Sequence, residues 1–262
     1  MFSTYDLTGE LAALQNELVS ELLVLRSDEE FETMPTDWLY ELALVTDDIT
    51  PHSYASEWIP ATAPKPLHQF TGADPVIGAP GDGGITWTTQ TSPPIVFLKP
   101  RAEGIPDTFR EFLLAEAILD IHLAHPEHPL DFFRAEYPAL HEATRDDPGL
   151  AYRLSGALCE AWCGIGRRPV FEEWSDTYPA IHDAWEDAGN RLADRILNLP
   201  AELAQGSTGF VSAAELACSG VKHGIELPPP FDALTVSAYR DHGPSFAVKW
   251  TEKTFAGFDH QS

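Results

Sequence analysis

Leu11, Leu14, Leu18, Leu22 and Leu25 recur at spacings of three and four, which predicts one amphipathic helix over residues 10–25. A shorter helix is expected over 37–45, with Thr36 placed to cap it. Between 47 and 84 the pattern dissolves into Pro51, Pro60, Pro64, Pro66, Pro75 and Pro80 with Gly78, Gly81, Gly83 and Gly84, so this stretch reads as loop or linker. Ile85–Thr89 and Ile95–Lys99 then read as two adjacent strands. From 107 to 205 the period is helical again, with Asp107 as a cap. Further helices are expected near 129–136, 138–145, 149–163, 169–176 and 179–198, each beside a Pro suited to a first turn. Ser212 and Glu215 read as a capping box for a helix over 213–222, and Gly224 as its stop. The alternation in 234–240 and 246–250 predicts a closing hairpin around Asp241–Ser245, whose strands join the first two in one small antiparallel sheet. The expected fold is α+β, mainly α-helical with small antiparallel β-hairpins, in a single globular domain over 1–262.

One motif occurs twice. Tyr137-Pro138-Ala139-Leu140-His141-Glu142-Ala143 returns as Tyr178-Pro179-Ala180-Ile181-His182-Asp183-Ala184, and an aromatic precedes each Tyr by four residues, Phe133 and Trp174. The pattern predicts an internally duplicated helix-pair unit over about 130–198, with each Tyr ring packed on the aromatic four residues back.

Charge changes the picture more than composition does. Hydrophobic residues make up 44% of the 262, enough to bury a core, but 41 Asp and Glu face only 16 Lys and Arg, a net charge of −25. Five of the sixteen basic residues are Lys. Repulsion between surface acids reaches about 10 Å at 0.1 M salt and about 3 Å at 1 M, so concentrated salt relieves it. This composition resembles that of salt-in haloarchaeal proteins, which implies a salt-adapted, acidic, cytoplasmic protein. No basic stripe is available for nucleic acid. No apolar run approaches the roughly 18 residues of a membrane span, and no signal-peptide pattern is visible at the start. Cys159, Cys163 and Cys218 form no C-x-x-C pair and read as buried reduced thiols.

Candidate chemistry centres on histidine. His122, His125, His128 and His141 lie within twenty residues, and His182 holds the place of His141 in the second copy of the motif. With neighbouring carboxylates, such imidazoles suit zinc, iron or nickel. The run Ile95-Val96-Phe97-Leu98-Lys99-Pro100, followed by Phe112–Asp120, resembles the strand-then-helix core of zincin metallopeptidases. Glu116, Ala117 and Asp120 stand where that family carries its first His, its general-base Glu and its second His. The resemblance therefore implies an inactive relative, with Glu116 and Asp120 left to hold a hard cation. There is no phosphate-loop Gly-Lys-Ser/Thr motif and no G-x-S-x-G elbow. Two functions follow as expectations: a non-catalytic scaffold or interaction protein with a protein partner, and a metal-dependent enzyme built on residues 122–141 with His182. No cofactor is specified by the sequence.

Overall fold

In the computed structural model, which describes residues 2–259, the fold is α+β and mainly helical. The elements in chain order are β1 (Phe2–Thr4), α1 (Gly9–Leu18), β2 (Leu23–Ser27), α2 (Leu39–Leu42), β3 (Asp48–Ile49), α3 (Lys65–His68), β4 (Ile85–Thr88), β5 (Thr91–Ser92) and β6 (Ile95–Leu98). Then come α4 (Asp107–His122), α5 (Pro129–Phe133), α6 (Tyr137–Ala143), α7 (Pro148–Glu173), α8 (Pro179–Gln205), α9 (Phe210–Gly220) and α10 (Ser237–Asp259). The chain gathers into two compact units. The first holds Met1–Ser53, Gln69–Glu127 and Glu173–Trp185; the second holds Tyr54–His68, His128–Glu172 and Glu186–Ser262.

The first unit is built on a four-stranded sheet ordered β1-β2-β6-β4. β4 pairs antiparallel with β6 as the sequence predicts, with Thr86 opposite Phe97. β2 runs parallel to β6, with Leu25 opposite Phe97 and Arg26 opposite Leu98. All four β6 residues are buried, as a strand covered on both faces requires. One face carries Leu25, Ile95 and Phe97 against Phe31, Met34, Trp38, Leu42 and Ile77. α4 packs on β4 and β6, and α1 packs on α4. Glu10 of α1 accepts from the Ala180 and Ile181 amides, which satisfies first-turn donors of α8.

The second unit is helical. Phe210, Phe231 and Trp250 stack at centroid distances of 5.6–6.2 Å. The Tyr239 hydroxyl donates to the Leu158 carbonyl at 2.6 Å. Cys159, Cys163 and Cys218 are buried and free, as expected.

The helices expected over 149–163 and 169–176 are one helix, α7, with Pro169 inside it; Asp107 is the first residue of α4 rather than its cap, and Thr36 opens a 3-10 turn before the short α2. Three further expectations need correction. The helix over 10–25 ends at Leu18, because Val19 leaves helical geometry (φ −146°). The leucine run beyond it becomes β2, where Leu22, Val24 and Leu25 are buried. A short continuous apolar run fits a buried strand as well as it fits a helix face. The closing hairpin is instead α10. Tyr239, Gly243, Ala247, Val248 and Thr251 are buried at helical spacing, and that burial overrides the apparent alternation. The residues expected to form the hairpin turn lie inside α10 and mark a kink, where Gly243 takes φ +48° before Pro244. The four strands expected to form one antiparallel sheet are thus reduced to two, and the sheet they enter is mixed. Finally, α9 begins at Phe210, so Ser212 lies inside it. Its hydroxyl accepts from Arg153, and Glu215 pairs with the same guanidinium at 2.6 Å. Gly224 does stop the following turn in left-handed geometry, as predicted.

Candidate functional site

The residues singled out for metal binding fall into separate surroundings. Glu116 and Asp120 are both buried in α4. Asp120 Oδ1 meets His125 Nδ1 at 2.8 Å, so the structure brings this pair together. His122 approaches the Leu18 carbonyl through Nδ1 at 3.2 Å. His128 precedes α5, and its Nδ1 accepts from the Leu130 amide at 3.1 Å, which makes the imidazole a helix cap. Burial pushes its pKa down to about 3, so it is a neutral acceptor. His141 is held on one side by Asp146 at 3.1 Å and on the other by the Thr62 hydroxyl at 3.2 Å. His182 packs on Trp185. Among the described residues, candidate metal-ligand atoms cluster within 4.8 Å on one turn of α8, at His182, Asp183 and Glu186.

A second chemistry gathers at the carboxyl ends of the parallel strands β2 and β6, where open α/β sheets commonly place their ligands. Lys99 directly follows β6, and its side chain is fully buried. Its Nζ lies 4.5 Å from the centre of the Phe31 ring and 3.9 Å from Asp82 Oδ2, and it makes no hydrogen bond. Burial lowers the Lys99 pKa and raises that of Asp82, each partly offset by the other's charge. Asp82 also accepts from the Ala79 amide and the Thr86 hydroxyl, both at 2.9 Å. Beside it, Arg101 binds Glu30 at 2.6 Å and Glu32 at 3.1 Å, and Glu32 accepts from the Gly81 amide at 2.6 Å. Gly78 is required here: φ is +77°, and a Cβ would sit 2.4 Å from the Glu32 carbonyl oxygen.

The same unit exposes an apolar surface. Trp38 and Leu42 anchor α2 and the turn before it into the core. On the outer side, Tyr40, Leu44 and Val45 are 78%, 84% and 49% exposed. Tyr40 lies on α2, and Leu44 and Val45 lie in the turn that follows it, where their amides bond back to the Glu41 and Leu42 carbonyls. Asp37, Asp47 and Asp48 flank them in sequence, all exposed.

Sequence reasoning missed both features. A lysine ending a run of four strand-like apolar residues was a readable signal for Lys99. For α2, apolar residues on every side of a short helix were the signal that some must remain outside.

No curated protein and no solved structure matches the chain. The model of a family of unknown function (DUF7089) matches residues 1–258, and the chain belongs to that family.

Proposed function

We propose that this chain is a non-catalytic interaction protein, salt-adapted and cytoplasmic, that docks a protein partner through Tyr40, Leu44 and Val45. The observation that carries this reading is their joint exposure along the short α2 and the turn after it. Single exposed apolar residues are ordinary, whereas a contiguous group points to an interface. The rim selects the occupant. Exposed Asp37, Asp47 and Asp48 call for a segment with an apolar anchor framed by Lys or Arg. A second copy of the chain fits poorly, because a symmetric contact would set the same carboxylates against each other. The recurring Tyr-Pro motif supports a duplicated scaffold element, since the ring contact repeats. Tyr137 packs edge-on to Phe133 at 6.4 Å, and Tyr178 packs edge-on to Trp174 at 5.6 Å.

The test is a photo-crosslinker placed at Leu44 in cells. One adduct should form with a protein bearing a basic, apolar segment, and Asp37→Lys with Asp48→Lys should abolish it. An adduct with a second copy of the chain, or one indifferent to charge reversal, overturns the reading.

A metal-dependent enzyme is the second reading, favoured by the His182, Asp183 and Glu186 cluster. Elemental analysis of chelator-free protein separates the two. Stoichiometric zinc, iron or nickel, lost in His182→Ala, would support the enzyme.

A further inference from the structure

The strand ends that hold Lys99 also border a cavity of about 220 Å³, lined by Arg26, Leu98, Lys99, Ala102, Glu103 and Arg110. Arg26, Lys99, Arg101 and Arg110 are four of the chain's 16 basic residues, and all four lie at this end of the sheet or in the first turn of α4. In a chain of net charge −25, such a concentration of cations needs an explanation.

Salt bridges account for it incompletely. Lys99 and Arg101 are engaged by Asp82, Glu30 and Glu32. The Arg26 side chain makes no hydrogen bond among the described residues, and its nearest carboxylate, Glu103, is 3.9 Å away and mostly exposed. Its guanidinium instead lies 5.4 Å from the centre of the Tyr5 ring, a contact that takes up none of its five N–H donors as a hydrogen bond. Arg110 is largely buried and bonded to Asp107 at 2.6 Å, and the Tyr5 side chain lies near it.

Two guanidiniums at one small cavity, with Leu98 and Ala102 as apolar wall, match the geometry of oxyanion recognition, because the guanidinium fork binds two oxygens at once. A cation is disfavoured there, because Arg26, Lys99 and Arg110 outnumber the one carboxylate in the lining, Glu103. The volume lies below the 300–1,000 Å³ typical of drug-sized ligand sites, so the guest is small. We propose that this cavity is a binding site for a small oxyanion, either a phosphate or a short dicarboxylate, held by Arg26 and Arg110.

The intact chain is titrated with potassium phosphate and, separately, potassium succinate, at an ionic strength held constant with KCl. The readout is the thermal midpoint, checked by calorimetric binding. One of the two anions should raise the midpoint by about 3 °C at ten times its dissociation constant. The responding arm identifies the ligand class. Arg26→Gln and Arg110→Gln should each remove the response, while Arg153→Gln, an arginine paired with Glu215 in the other unit, should keep it. If Arg110→Gln fails to fold, Arg26→Gln decides alone, because the Arg26 side chain is half-exposed and makes no hydrogen bond among the described residues. No response to either anion overturns the proposal, as does a response that survives in Arg26→Gln.

Discussion

Each unit contains a lysine beside a carboxylate, and the two pairs are built differently. In the second unit Glu160 receives Arg167 Nη1 on both oxygens, at 2.8 and 2.9 Å, and Lys222 Nζ at 3.1 Å. Burial pushes the Glu160 carboxyl up, but Arg167 and Lys222 more than cancel that and hold its pKa at about 2. In the first unit Lys99 is the more deeply buried charge, yet it has one carboxylate at 3.9 Å, an aromatic face and no hydrogen bond. A buried ion pair stabilises only when its hydrogen-bonding groups are satisfied. The Glu160 cluster meets that condition and reads as a lock between helices α7 and the turn after α9. The Lys99 cluster does not, and it sits where sheets present ligands. Under the oxyanion-site proposal, charge placement in the first unit serves recognition at some expense of stability.

The largest expected effect sets the scale for reading these charges. The same tyrosine-on-aromatic contact occurs in both units, with Tyr137 and Tyr178 both buried. Tyr137→Ala and Tyr178→Ala should each cost about 3 kcal/mol in urea unfolding, as truncation of a core ring does. A loss below about 1 kcal/mol in either would show that the contact does not organise its unit.

Much of this was legible in the sequence, and the failures have a common cause. α4, β4, β6 and the Gly224 stop rest on local signals, namely a clean helical period, β-branched runs and a residue suited to left-handed backbone. β2 and α10 were misread because their apolar spacing satisfies two templates, and long-range burial made the choice. The candidate site was less legible still. His128 and His141 stand out in the sequence by residue type alone, and the contacts that hold them, with Leu130, Asp146 and Thr62, are set by the folded chain. Arg26 and Arg110 stand 84 positions apart, and nothing local announces that both line one cavity.

Acid should act on the second unit by two routes of the same sign. His128 has a folded pKa of about 3 against 6.5 when unfolded. The unfolded chain therefore binds the proton first, and the stability present above pH 6.5 is lost as pH falls toward 3. Glu160 contributes stability above pH 4.5 that is lost as pH falls toward 2. Each group steepens the decline by about 1.4 kcal/mol per pH unit within its own window. His128→Asn keeps a capping oxygen for the Leu130 amide and removes the titration, so its stability should fall less steeply between pH 6 and pH 4.5. An unchanged slope would mean that the imidazole is not neutral in the fold.

Salt should have a smaller effect, opposite to what its action on single pairs suggests. It weakens exposed bridges such as Arg101 with Glu30, but these contribute little. Screening the mutual repulsion behind a net charge of −25 should dominate. The thermal midpoint at 2 M KCl is expected to exceed that at 0.1 M, and a flat or falling midpoint would remove the salt-adapted reading.

The difference between the two charged clusters is tested most directly by urea unfolding of Glu160→Gln beside Lys99→Met at neutral pH. Glu160 is 31% exposed, so removing its charge from Arg167 and Lys222 should cost roughly 2–3 kcal/mol, less than for a fully buried pair. Lys99→Met keeps the volume and removes a buried cation that has no hydrogen bond. Its stability should stay within about 1 kcal/mol of the parent, or rise. If Lys99→Met loses as much as Glu160→Gln, then Lys99 holds the first unit together, and the strand-end charges are structural rather than placed for recognition.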